Sequence, residues 1–132
     1  MALIVPNEGE ILLLQYMINM TAAEDQVLRL YTNDPTLGET TVRGDLTDAT
    51  EAGYSPITLT AAGWTTTQVS GITTGVYDEV TFTFTTSASV FGYMVTDMTQ
   101  NDILWVERFS GAPFNLPTGG GTIAITTKIT LD

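Results

Sequence analysis

Residues 80–85 read Val-Thr-Phe-Thr-Phe-Thr, and this short run limits the fold more than any other local pattern in the chain. Apolar side chains alternate strictly with threonines, the period of a strand with one buried and one solvated face. Val27–Thr32, Ile57–Thr60, Thr65–Val69, Val90–Thr96, Ile103–Phe109 and Thr122–Leu131 follow the same rule less strictly. In the last of these, Ile123, Ile125, Ile129 and Leu131 share one face. Turn chemistry separates the runs. Asn33-Asp34-Pro35-Thr36 stops the first, and the polar Asp97–Asp102 loop joins Val90–Thr96 to Ile103–Phe109 as a hairpin. About seven short strands at such spacing predict a mainly β fold, an antiparallel β-sandwich or barrel, with residues 1–132 as a single domain. Thr47 is placed to cap a short turn of helix over Asp48–Glu51, ended by Gly53. Pro113–Gly121, with two prolines and three successive glycines, reads as irregular.

The first twenty residues break the alternation. Asn7 is a good N-cap, Glu10 stands three residues on as in a capping box, and Glu8 and Glu10 suit the positive end of a helix. The spacing predicts a helix from Glu8 to about Met20. On a helical wheel Glu8, Gln15 and Asn19 form one narrow polar stripe and the rest is apolar. Such a helix has to be covered on most sides, which a domain of this size does not easily do. Two arrangements meet the demand. In one, the Pro113–Gly121 loop covers a second face. In the other, Ile11, Leu14 and Ile18 face the core, while Leu13, Tyr16, Met17 and Met20 meet another subunit or a partner protein. Adaptable Met and Tyr suit an interface, so these four are the candidate interface residues. Ahead of the helix, Leu3-Ile4-Val5 is suited to add to the sheet edge of a neighbour.

Composition narrows the function. Fifteen acids against four bases leave a net charge of −11, which argues against nucleic acid and anionic membranes as partners. The chain has no cysteine and no histidine, so disulfides, zinc–thiolate sites and the commonest general base and metal ligand are excluded. Residues 1–5 lack the basic start of a secretory signal, and Ile11–Met20 is about half the length of a bilayer span. A soluble chain made in the cytoplasm is expected. Asp45, Asp48, Glu51, Asp78, Glu79 and Asp102 are the candidates for a glycosidase carboxylate pair, but no spacing picks out two of them. Residues 45–51 lack the calcium-loop pattern, and Gly119-Gly120-Gly121 lacks the lysine of a phosphate loop. No catalytic residue, cofactor or metal is expected, and no enzymatic activity. Trp64, Trp105 and the Asp97–Asp102 loop leave a carbohydrate- or receptor-binding β-module as an alternative, although both tryptophans sit among strand-like residues.

Several stretches in order carry a resemblance: LIVPNEGEILLLQYMINM, LRLYTNDPT, DLTDATEAGYSPITLTAAGW, FGYMVTD, LWVERF and ITTKITLD. Together they resemble a family of small virion proteins of tailed bacteriophages, many from aquatic and cyanobacterial phages. The matching positions are Pro6, Asn7, Glu8 and Gly9; Tyr31, Asn33 and Asp34; Asp45 and Thr47; Gly53 and Tyr54; Trp64; and Gly92 and Tyr93. Each motif alone is weak; their order is the specific part, and it spans nearly the whole chain. Pro56 departs from a continuous strand at that point. The resemblance implies a β-sandwich capsid decoration (cement) protein on the capsid exterior of the virion. Its partners would be the major capsid protein and itself, as a homo-oligomer with a trimer favoured. A tail, collar or fibre-base component is the other structural role in that family.

Overall fold

The structure, a computed structural model, describes residues 3–99 and 101–131. In chain order its elements are the helix α1 (Asn7–Met17) and the strands β1 (Gln26–Tyr31), β2 (Ile57–Leu59), β3 (Trp64–Val69), β4 (Ile72–Tyr77), β5 (Val80–Phe84), β6 (Ala88–Val90), β7 (Gly92–Asp97), β8 (Ile103–Arg108), β9 (Phe114–Leu116), β10 (Gly121–Ile125) and β11 (Lys128–Leu131). Every pairing is antiparallel. The fold is mainly β, with sheets layered as in a β-sandwich and no closure into a barrel.

One layer is the sheet β2-β1-β7-β8. Its inner face carries Leu28, Leu30, Tyr93, Val95 and Trp105, which share a core with Phe82 and Phe84 of β5 and Ile123 and Ile125 of β10. Tyr54 stacks on both phenylalanines at 5.6 Å. Its hydroxyl accepts the Leu30 N–H at 3.0 Å, and burial pushes its pKa up to about 12. The outer face is covered too. Tyr31, Met94, Ile103 and Val106 lie under Leu37 and Leu46, which belong to the long connection after β1. Asp48 pins that connection, pairing with Arg29 at 3.1 Å and Arg43 at 2.7 Å. β7 is therefore buried along its whole length, which is why Gly92–Asp97 shows no alternation of apolar and polar residues.

The second layer is a long bent ribbon. β5 pairs with β10, and beyond the bends at 78–79 and 126–127 β4 pairs with β11. β3 joins the far side of β4 through a tight turn in which Ser70 (φ 53°) and Gly71 (φ 88°) both take the left-handed conformation that such a hairpin requires. The β5–β10 half packs on the core, whereas residues 65–73 of the β3–β4 hairpin are exposed.

Several expectations need correction. The helix ends at Met17, three residues early, and Asn19 follows at φ 60°. Pro6, not Asn7, is the N-cap residue, and no side chain caps the first turn. Asp48–Glu51 forms no helix. Asp48 instead bridges to Tyr31, drawn there by the two arginines, and the helical turn nearby is a 3₁₀ turn at Arg43–Asp45. The described strands number eleven rather than about seven. Val90–Thr96 breaks at Phe91 and Thr122–Leu131 breaks at the 126–127 bend, because each chain passes there from one sheet to another. β4 escaped notice because Gly75 interrupts a threonine-rich run. β9 hides in the Pro113–Gly121 segment, which pairs with β6 and does not cover the helix.

Candidate docking surface

The helix rests on a sheet edge. β8 is the last strand of its sheet, and its outer backbone groups need partners. Ile4 supplies one pair, with N–H···O distances of 2.9 and 2.8 Å to and from Val106. The segment ahead of the helix, read in the sequence as suited to a neighbour's edge, thus pairs with its own chain. In the first turn of α1, the Glu8 carboxylate accepts the Ile103 N–H at 2.7 Å. Gly9 allows this approach. A Cβ at that position would stand 2.5 Å from the carbonyl oxygens of both Ile103 and Leu104. Burial raises the Glu8 pKa against the opposing pull of the Ile103 hydrogen bond. Asp97 and Asp102 close the adjoining β7–β8 turn, where the Asp102 N–H donates to Asp97 Oδ1 at 2.7 Å.

These two contacts fix which way the helix faces. Glu8, Gly9, Leu12, Leu13 and Tyr16 turn inward, with Leu12 only 2 % exposed and Leu13 and Tyr16 partly buried against the core. The expected core-facing trio is turned outward: Ile11 is 59 %, Leu14 51 % and Ile18 53 % exposed. Glu8, grouped on the wheel with Gln15 and Asn19 in the polar stripe, faces the body because a strand edge there needs an acceptor. Of the four candidate interface residues, Leu13 and Tyr16 thus flank the core, while Met17 (76 %) and Met20 (71 %) are open to solvent. Gly9 appeared in the sequence only as part of a motif. Its signal as a positioning residue was a lone glycine inside a run of strong helix formers.

Ile11, Leu14, Met17 and Ile18 form an outward apolar strip, with Met20 exposed just beyond the end of the helix, the kind of surface that marks an interaction site. Beside the strip lies a groove of about 550 Å³. Leu3, Val5 and Leu13 line its base, Leu14 and Met17 one wall, and Ile129 and Leu131 of β11 the other; among the described residues Glu10 is the one charged group lining it. The other sequence candidates are dispersed. Asp48 is held by its arginines, Asp45 Oδ2 accepts the Val42 N–H at 2.9 Å, and Glu51 Oε2 accepts the Thr50 N–H at 2.9 Å. Asp78 and Glu79 lie exposed at the β4–β5 bend. Trp105 is buried, donating from Nε1 to Thr127 Oγ1 at 3.1 Å, and Trp64 packs edge-on against it at 6.1 Å. Among the described residues no cluster of three or more acids is arranged to hold a metal ion.

No protein-family model matches this chain, and neither a curated protein nor a solved structure matches it.

Proposed function

We propose that this protein is a structural component of a phage virion, a capsid decoration protein that docks its helix on the major capsid protein and reinforces the shell. The observation that carries the reading is the outward apolar face of α1, set beside an apolar groove on an otherwise acidic chain. A docking helix needs a rigid base. α1 has one, since its inner face is fixed to the β8 backbone through Gly9 and Glu8. The methionines at 17 and 20 suit a surface that adapts to its partner. The resemblance of the motif order to small phage virion proteins is what points to the major capsid protein as that partner.

The test is copy number in purified virions, by quantitative mass spectrometry against the major capsid protein. Decoration requires copies comparable in number with the capsid subunit. A small fraction of that number moves the protein to the tail or collar, and absence from the virion overturns the reading. Capsids mixed with the Leu14→Asp, Met17→Asp variant should lose the protein on sedimentation, because both positions are exposed and the fold does not depend on them.

A further inference from the structure

The structure leaves a second surface without a role, the open edge of β3. The other edges of the two larger sheets are blunted. Ile4 and α1 cover β8, β2 is three residues long behind Pro56, and β11 carries Lys128. β3 has none of these devices. It runs six residues, pairs only with β4, and from Thr65 onward is exposed. No charged residue lies between Glu51 and Asp78.

We propose that β3 pairs antiparallel with β3 of a second copy, joining the two three-stranded sheets into one. The hairpin geometry fixes the register. In a two-residue hairpin the flanking pair, here Val69 and Ile72, exchanges both backbone bonds, and such pairs recur at every second residue. Thr67 and Thr65 therefore spend their backbone groups on β4. Thr66 and Gln68 direct theirs outward, as does the Trp64 carbonyl, while the Trp64 N–H is taken by the Ala61 carbonyl. A two-fold axis through Thr66 sets Thr66 against Thr66 of the second copy and Trp64 against Gln68, making about four backbone hydrogen bonds, since the Trp64 N–H is already bonded. Between them Thr65 stands opposite Thr67, a β-branched pair that strands favour. A slip of one residue would oppose outward groups to inward ones, so only even shifts keep the pairing, and the axis through Thr66 centres it on the strand.

Charge selects the occupant. A chain of net charge −11 repels its own copy over most of its surface, and this strand is a place where two copies meet without facing carboxylates. The contact is self-complementary, as a two-fold interface must be. β4 lies between β3 and β11, so the pairing leaves the groove beside α1 open, and a pair of copies presents two docking helices. The inference does not rest on the virion reading.

The test compares two variants of the full chain by light scattering and amide exchange. Thr65→Lys with Thr67→Lys sets lysine against lysine across the axis twice. Thr65→Lys with Thr67→Glu sets lysine against glutamate twice, and controls for any effect of the first lysine on folding. The lysine–lysine variant is expected to show half the mass of the wild type, whose single chain is 14.2 kDa. The lysine–glutamate variant is expected to keep the wild-type mass. The Thr66 and Gln68 amides should exchange slowly in the wild type and the lysine–glutamate variant, and rapidly in the lysine–lysine variant. A wild type that stays at the mass of one chain overturns the proposal, as does a lysine–lysine variant that keeps the wild-type mass and protection.

Discussion

Replacing Gly9 by alanine tests the packing that orients the helix, because two physical effects predict opposite signs. Alanine in place of a helical glycine stabilises by about 0.5–1 kcal/mol through backbone entropy. The contact geometry says otherwise. The new methyl group would stand 2.5 Å from two β8 carbonyl oxygens, and these are backbone atoms that cannot rotate aside. To reach an ordinary C···O separation the helix must lift by roughly 0.8 Å. That movement stretches the 2.7 Å bond between Glu8 and the Ile103 N–H to the edge of hydrogen-bonding distance. Overpacking of this kind costs about 1–3 kcal/mol, and weakening a bond to a charged group adds about 1 kcal/mol. After the propensity gain, the Gly9→Ala variant should be less stable by about 2 kcal/mol. In a chain of this length that corresponds to a fall of roughly 8 °C in Tm. Thermal unfolding followed by circular dichroism reads the shift, and exchange of the Ile103 amide should quicken alongside it. An unchanged or higher Tm would refute the close seating of α1 on β8.

Two further predictions follow from the same seating. Leu12→Ala should cost about 2–5 kcal/mol in urea unfolding, whereas Leu14→Ala, nearly opposite on the wheel and half exposed, should stay within about 0.5 kcal/mol; equal costs would refute this orientation of the helix. Glu8 has a folded pKa above its ordinary value, chiefly through burial, so its contribution to stability is full below about pH 4.5 and is lost as pH rises through the raised value. Glu8→Gln removes that loss, so the variant should gain on the wild type in urea midpoint as pH rises across this window; parallel pH profiles would sink the assignment.

The alternation of residues determined much of this fold. β1, β5 and β8 fall within a residue of the expected runs, because each has side chains whose own period declares one buried face. The Asp97–Asp102 loop and its hairpin were legible for the same reason, turn chemistry being local. Where a strand is buried on both faces, as β7 is, period carries little information and the boundaries drifted, and β4 went unread, whereas β2 and β3 fell within a residue of the expected runs. The helix marks the division most clearly. Its existence and its excess of apolar residues were written in NEGEILLLQYM, but its orientation was not. A wheel groups Glu8 with Gln15 and Asn19 in one polar stripe but does not say which apolar side meets the body, and the expected core-facing side was Ile11, Leu14 and Ile18. Only the folded chain brings the unpaired Ile103 N–H beside that carboxylate and the β8 carbonyls beside Gly9, two groups separated from the helix by more than ninety residues. Tertiary structure alone therefore decided that Ile11, Leu14 and Met17 form the open surface, since a hydrogen bond owed to a distant strand edge outweighs the local preference of a side chain for solvent.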